Sequence, residues 1–185
     1  MQIRPTALDG VLVIEPKVIG DARGFFVETW QEPRYREAGV ALPFVQDNLS
    51  KSRRGTLRGL HLQHPNDQGK LVSVPLGRVL DVAVDVRVGS PTFGRHVAVE
   101  LSDENHLQLW IPPGFAHGFQ VLSDEALFAY KCTAAYAPAS ELGVRWDDPA
   151  LGIDWPLREP TISAKDAALP ELATIDPARL PRLAR

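Results

Sequence analysis

The chain has 185 residues, 44% of them hydrophobic and 23% charged, which is the composition of a soluble globular protein with a hydrophobic core. Its formal net charge is −3 and it contains no basic block, which argues against a nucleic-acid partner. It has neither a membrane-span-length apolar run nor a signal-peptide core at its start, so no membrane association is expected. A single cysteine, Cys132, excludes an intrachain disulfide and makes a reducing cytoplasm the expected location.

The first predicted elements are a strand at residues 11–14 and a short helix at residues 32–39. Pro33 in the first turn and Gly39 at the end indicate the limits of the helix. Between them, residues 21–28 place an arginine, two aromatic residues and a glutamate together, a pattern that by itself favours a hairpin with a salt bridge.

Short strands separated by turn residues follow at regular spacing, at residues 44–49, 56–62, 70–74, 96–101, 107–111, 115–121 and 127–133. The clearest strand is GRVLDVAVDVRV, residues 77–88, whose even positions from 80 to 88 are all apolar. Its odd positions include Asp81, Asp85 and Arg87, so we predict one dry face and one face that meets water or a binding site. Many short strands in this arrangement predict an all-β sandwich or barrel.

The last 48 residues, from position 138, contain 7 of the 16 prolines and little periodicity. We predict that this segment is a tail packed on the barrel, with one short helix near residues 165–172. Residues 1–185 are then expected to form one domain.

Residues 56–70, TLRGLHLQHPNDQGK, pose the choice between a metal site and an acid–base site. His61 and His64 are three residues apart and point to opposite faces of a strand, which does not suit ligation of one ion. Arg58 and Lys70 flank them with positive charge, which opposes a divalent cation but suits a phosphate or an oxyanion. Positive surroundings also favour the neutral form of His61 that a general base requires. A purely structural histidine is the alternative for His61, and His64 is expected at the surface.

Other polar positions are compatible with the same site. Gln46 and Asn48 alternate along one strand, His117 lies among small and apolar residues, and Tyr130 follows on the next strand. Taken together, these positions supply a base, an acid and several cations.

Ten motifs occur in one fixed order over roughly residues 3–170: RGFFVE, QDN, RGLH, QGKLV, GRVLDVAVDVR, SPTFG, QLWIPPGFAHGF, YKCT, ELGVRWDDP and ISAKD. In these motifs the chain resembles the dTDP-4-dehydrorhamnose 3,5-epimerase family. The resemblance implies a cupin-type β-sandwich (jelly roll), a homodimer and no metal or organic cofactor. It implies epimerisation at C3 and C5 of dTDP-4-dehydro-6-deoxy-D-glucose, which yields dTDP-4-dehydro-L-rhamnose. Leu62, where the family commonly has an aromatic residue, and His96 depart from the family pattern.

The resemblance also assigns roles to individual residues. The family's base matches His61, its phenolic acid Tyr130 and the carboxylate partner of the base Asp166. The matching substrate-binding positions are Arg23, Glu28, Gln46, Asn48, Arg58, Lys70, His117, Glu141 and Lys165. The N-terminal strand of the family crosses to the partner subunit, so Arg23 and Glu28 are expected to serve the neighbour's site. An aromatic residue, Phe25 or Phe26, is expected to stack on the thymine.

The chemistry explains why such residues are needed. Both reacting carbons lie beside the C4 ketone, so removing either proton gives an enolate that needs a base on one face, an acid on the other and a cation at the oxygen. Lys70 is the expected cation. The alternatives are an enzyme that inverts C3 (or C5) alone, a ketoisomerase, a metal-dependent cupin oxygenase and a non-enzymatic sugar-binding cupin. The histidine–tyrosine pair argues against the ketoisomerase, the ligand spacing against the oxygenase, and the combination of base, phenol and lysine against the binding protein.

Overall fold

The computed structural model describes residues 1–183, which are built mainly of short antiparallel strands. The strands are β1 (Gln2–Pro5), β2 (Leu12–Glu15), β3 (Val18–Asp21), β4 (Gly24–Val27), β5 (Gln46–Arg53), β6 (Leu57–Gln63), β7 (Lys70–Leu76), β8 (Arg78–Asp85), β9 (His96–Ser102), β10 (Gln108–Ile111), β11 (Phe115–Val121), β12 (Glu125–Cys132) and β13 (Glu141–Gly143). Two α-helices, α1 (Glu32–Glu37) and α2 (Ala164–Ala167), accompany them. Three 3₁₀ turns lie at Pro138–Ser140, Leu172–Thr174 and Pro177–Arg179.

Two sheets form a sandwich, which confirms the predicted fold class. One sheet has the strand order β1-β2-β10-β7-β12-β5, and the other has the order β13-β6-β11-β8-β9. Within residues 1–183, strands β3 and β4 pair only with each other and form the hairpin that the pattern of residues 21–28 favoured. No helix among residues 1–183 has the length and apolar character needed to cross a membrane.

The core between the sheets is filled from both sides, for example by Val72 and Phe128 from one sheet and Val79 and Phe119 from the other. The outer face of the five-stranded sheet is covered by the tail, whose Trp155 packs in the same cluster as the even positions of β8. Burial of these apolar surfaces is the main driving force that attaches the tail to the sandwich.

Strand β8 corrects part of one prediction, that its odd positions face water or a binding site. Its odd positions do not face water: Val79 and Ala83 lie in the inter-sheet core, and Asp81 and Asp85 are fully buried. Both faces of β8 are dry because the tail covers the even side and the opposite sheet covers the odd side.

Several predicted boundaries also shift. The strand predicted from residue 44 begins at Gln46, because Phe44 packs edge-on against Trp30 instead of continuing the strand. Helix α1 ends at Glu37, two residues before Gly39, which has a φ of +98°. Strands β1 and β13, which carry no clear alternation, were not predicted.

The tail helix is shorter than predicted. Helix α2 begins after Ser163, whose Oγ accepts a hydrogen bond from the Asp166 amide, and it ends at Ala167. Pro170 follows closely, and proline disfavours helical geometry in the residue before it. Beyond Pro170, as far as residue 183, the helical structure consists of the two 3₁₀ turns Leu172–Thr174 and Pro177–Arg179.

Candidate active site

A cavity of about 650 Å³ opens between the two sheets, and the tail forms part of its wall. It is lined by Ser50, Thr56, Leu57, Arg58, His61, Lys70, His117, Phe119, Phe128, Tyr130, Thr161, Ile162, Ser163, Lys165 and Asp166. A smaller cavity of about 110 Å³ shares His61, Lys70 and Tyr130 with it, and adds Gln46, Asn48, Leu62, Gln63, Gln68, Cys132, Tyr136 and Glu141. The predicted residues of the sandwich and the tail therefore surround one region.

Strand alternation explains why these side chains meet. Lys70 is paired with Cys132 and Tyr130 with Val72 in the β7–β12 ladder, so Lys70 and Tyr130 are diagonal neighbours on the inner face of the six-stranded sheet. His61 is paired with His117 on the five-stranded sheet. The imidazole of His61 and the phenol of Tyr130 thus enter the cavity from opposite sheets.

The imidazole of His61 is held by a carboxylate from the tail. Its Nε2 lies 2.8 Å from Oδ1 of Asp166, whose Oδ2 accepts a hydrogen bond from the Gly59 amide at 3.3 Å. The side chain of Asp166 is 6% exposed and that of His61 is 32% exposed. Asp166 fixes the tautomer of His61 with Nε2 protonated, which leaves Nδ1 as the basic nitrogen.

The surroundings keep this base neutral. The pKa of His61 is lowered from 6.5, chiefly by burial and further by the positive charge of Lys70, while Asp166 and Glu141 oppose the shift. At pH 6.5, the ordinary pKa of histidine, His61 is therefore mostly neutral and able to accept a proton.

The pKa values of Lys70 and Tyr130, on the sheet opposite His61, are also shifted. Burial lowers the pKa of Lys70, against the raising effect of Cys132, Asp81 and Glu141. Burial raises the pKa of Tyr130, with Arg58 opposing, so the phenol stays protonated and can donate. Lys70 forms no ion pair with any residue from 1 to 183, which leaves its charge available to a ligand.

Polar residues at the cavity mouth are held in a network. Nζ of Lys165 lies 2.6 Å from Glu141, and the hydroxyl of Tyr136 donates to the same carboxylate at 2.9 Å. Arg58 donates from Nε to Ser52, which steadies the guanidinium and leaves its terminal nitrogens for an anion.

Three predicted binding residues, Arg23, Phe25 and Glu28, line neither of these two cavities. Arg23 pairs with Asp21 in the β3–β4 hairpin, and Glu28 pairs with Arg34 of α1. The ring of Phe25 packs against the ring of His106 at an interplanar angle of 48°, with ring centroids 4.5 Å apart. His64, expected at the surface, is partly exposed and contacts Asp67 at 2.8 Å.

Sequence reasoning missed Ser50 and Tyr136, and it gave Asp81 no role at the site. The carboxylate of Asp81 lies 2.9 Å from Nε2 of His117, inside the sandwich. The alternation of β8 had marked Asp81 as facing water or a site, but gave no partner. The residues that the structure describes contain no cluster of three histidine, cysteine or acidic side chains arranged to hold a metal ion.

Comparison with known proteins places the chain in a family. The model of the family described as dTDP-4-dehydrorhamnose 3,5-epimerase matches residues 5–174. The chain is 54% identical to the dTDP-4-dehydrorhamnose 3,5-epimerase of Salmonella typhimurium over 175 residues, which cover 93% of this chain and 96% of that protein.

Solved structures agree with this match. The crystal structure of the dTDP-6-deoxy-D-glucose-3,5-epimerase from Legionella pneumophila, in complex with dTDP-4-keto-L-rhamnose, is similar with a TM-score of 0.97 and 55% identity, covering 100% of this chain and 99% of that one. A 3′-monoepimerase from Streptomyces bikiniensis, in complex with dTDP-quinovose, is similar with a TM-score of 0.90 and 38% identity, covering 96% and 92%. The chain belongs to the dTDP-4-dehydrorhamnose 3,5-epimerase family.

Proposed function

We propose that the protein inverts C3 and C5 of dTDP-4-dehydro-6-deoxy-D-glucose to form dTDP-4-dehydro-L-rhamnose. The observation that carries this proposal is the placement of His61, held by Asp166, and Tyr130 on opposite sheets around a cavity that also contains Lys70. The S. typhimurium and L. pneumophila relatives bear the names of 3,5-epimerases.

Each inversion would proceed through an enolate. Nδ1 of His61 takes the proton from the carbon beside the ketone, and the electron pair of the broken C–H bond moves through the carbon skeleton to O4. Tyr130 then returns a proton to the other face of the carbon, and the C=O bond is restored. A positioned base or acid contributes about 10²–10⁴-fold to such a reaction.

Lys70 is proposed to stabilise the enolate oxygen. Its ammonium lies beside both proton-transfer groups, lacks a carboxylate partner within residues 1–183, and is desolvated. A cation in such surroundings interacts more strongly with developing negative charge than it does in water. We expect the reaction to need no metal or organic cofactor.

The nucleotide part of the substrate would bind towards the cavity mouth. Arg58 and Lys165 supply positive charge for the diphosphate, and Gln46, Asn48 and Glu141 supply polar contacts in the smaller cavity. The exposed ring of Tyr136 lines the smaller cavity with Gln46, Asn48 and Glu141 and offers a stacking surface.

We infer a homodimer in which the β3–β4 hairpin serves the neighbour's site. Phe25 and Phe26 are 60% and 67% exposed, and large exposed apolar groups on one hairpin mark an interaction surface. Strand β5 is an edge of its sheet and carries the exposed Leu49, so it offers a second element for pairing. Arg23, Phe25 and Glu28 would then reach the partner's cavity, which explains their distance from their own.

Inversion at C3 alone is the second candidate. The observation that favours it is the similarity of fold to the S. bikiniensis 3′-monoepimerase. The two reactions share a base, an acid and an oxyanion cation, so they differ only in how many carbons the bound sugar presents to these groups.

Proton NMR in heavy water separates the candidates. EDTA-treated protein is mixed with dTDP-4-dehydro-6-deoxy-D-glucose, and deuterium at C3 and C5 is followed with time. Incorporation at both carbons, abolished in His61→Asn, is the expected result. Incorporation at C3 alone would establish the monoepimerase, and exchange that requires an added divalent metal would overturn the proposed mechanism.

A further inference from the structure

Strand β8 carries two fully buried carboxylates with very different surroundings. Asp85 accepts hydrogen bonds from the backbone and guanidinium of Arg87 and from the hydroxyls of Ser90 and Thr92. For Asp81, Nε2 of His117 is the one hydrogen-bond donor that residues 1–183 provide, 2.9 Å from Oδ2 and 3.1 Å from Oδ1. The hydrogen-bonding capacity of the Asp85 carboxylate is filled, as is usual for a structural carboxylate. That of the Asp81 carboxylate is not.

A buried carboxylate with a single donor costs stability, because the other positions that water would have satisfied are lost. Phe119 lies opposite Asp81 in the β8–β11 ladder, and the charge of Asp81 raises the pKa of Lys70, although the two side chains form no ion pair within residues 1–183. A carboxylate at such a position points to a role other than packing, and its one hydrogen-bond partner within residues 1–183, His117, indicates what that role is.

His117, the hydrogen-bond partner of Asp81, faces the cavity. It lies directly opposite His61 in the β6–β11 ladder, and residues opposite each other in a ladder project from the same face. Its Nδ1 makes no hydrogen bond within residues 1–183. The single fully buried, unpaired side-chain polar atom of that part of the chain is Oγ of Ser50, so Nδ1 of His117 is not sealed from the cavity.

Resting on the proposed function, we infer that Asp81 is a positioning residue that acts through His117. The carboxylate takes the Nε2–H of His117 and thereby fixes both the ring orientation and the tautomer, as Asp166 does for His61. Nδ1 of His117 is then presented to the sugar ring beside the carbon that His61 deprotonates. The site therefore contains two histidine–carboxylate pairs in adjacent positions, one for proton transfer and one for holding the sugar.

The test compares Asp81→Asn with Asp85→Asn as a matched control on the same strand. Asp81→Asn is expected to keep or raise the Tm, since it removes a poorly satisfied buried charge, whereas Asp85→Asn lowers the Tm. Asp81→Asn is also expected to weaken dTDP-glucose binding about three- to tenfold while leaving dTDP binding unchanged, because one hydrogen bond to the sugar is lost. Equal weakening of dTDP binding would place the His117 contact on the phosphates and overturn the assignment to the sugar.

Two further readouts distinguish positioning from a merely structural role. Long-range ¹H–¹⁵N NMR of His117 should show the Nε2-protonated tautomer in the wild type and a changed pattern in Asp81→Asn. In a double-mutant cycle, Asp81→Asn should have no further effect on dTDP-glucose binding once His117 is Asn. An additive cycle, or wild-type binding in Asp81→Asn, would overturn the inference while leaving wild-type epimerisation, and so the proposed function, intact.

Discussion

Oδ1 of Asp166 lies 2.8 Å from Nε2 of His61, although 105 residues separate the two in the chain. The contact forms because helix α2 in the tail presents Asp166 to Gly59 and His61 in the middle of β6, and Ser163 caps that helix at the Asp166 amide. The tail is thus part of the proposed catalytic apparatus as well as a cover for the sheet.

Asp166→Asn should lower kcat/KM by about 10²-fold, as part of the contribution of an oriented base is lost. The amide can present an N–H to the imidazole and so favour the wrong tautomer, whereas the fold and the dTDP affinity should remain. Steady-state kinetics with a dTDP titration would check this. Unchanged kinetics would show that the carboxylate is dispensable, and Asp147→Asn, which removes an exposed carboxylate of the same tail, is the control.

Tyr130→Phe should separate proton removal from inversion. His61 can still take a proton and return it to the same face, so deuterium enters the substrate in heavy water while little inverted product forms. NMR that follows both exchange and product on one sample measures the ratio. Loss of exchange together with inversion would mean that Tyr130 is needed for deprotonation itself, contrary to its proposed role.

Lys70→Met should lower kcat by about 10²–10³-fold, the typical effect of removing one oxyanion donor. Because the lost interaction is made with the enolate, dTDP binding should change little. Lys51→Met, on the same sandwich but paired with Glu125 at the surface, is expected to behave as the wild type. A large rise in the Kd for dTDP with an unchanged kcat would instead assign Lys70 to the diphosphate.

The pH profile follows from the pKa of His61. The base must be neutral, and its pKa is lowered from 6.5, so kcat/KM should fall only as the pH drops below that value. Asp166 raises the pKa of His61 by hydrogen bonding and charge, so in Asp166→Asn the acid limb should move to still lower pH. An acid limb above pH 6.5 in the wild type, measured under conditions of unchanged folding, would contradict the assignment of the base.

The hairpin proposal predicts complementation between two inactive variants. Arg23→Glu and His61→Asn subunits are each defective, but a mixed dimer has one site with Arg23 and His61 both intact if Arg23 acts across the interface. Random mixing should then restore about a quarter of the wild-type activity in a symmetric dimer. No recovery, with light scattering showing mixed dimers, would place Arg23 in its own subunit's site.

Local patterns in the sequence were enough to predict much of the fold. Alternating side chains and turn residues predicted most strands, and these follow from the two-residue period of a strand and the conformations that turns require. The inward positions of Lys70 and Tyr130 follow from the same period. The ordered motifs, and not the spacing of any one group, indicated the family and its residues.

Other features depend on which surfaces cover one another, and this is decided by long-range packing. Phe44 leaves its strand to join an aromatic cluster, and both faces of β8 are dry because the tail and the opposite sheet cover them. Asp81 therefore lies on His117 instead of in water. A strand's alternation determines which residues share a face, but only the tertiary structure decides what that face meets, because burial depends on segments distant in the chain.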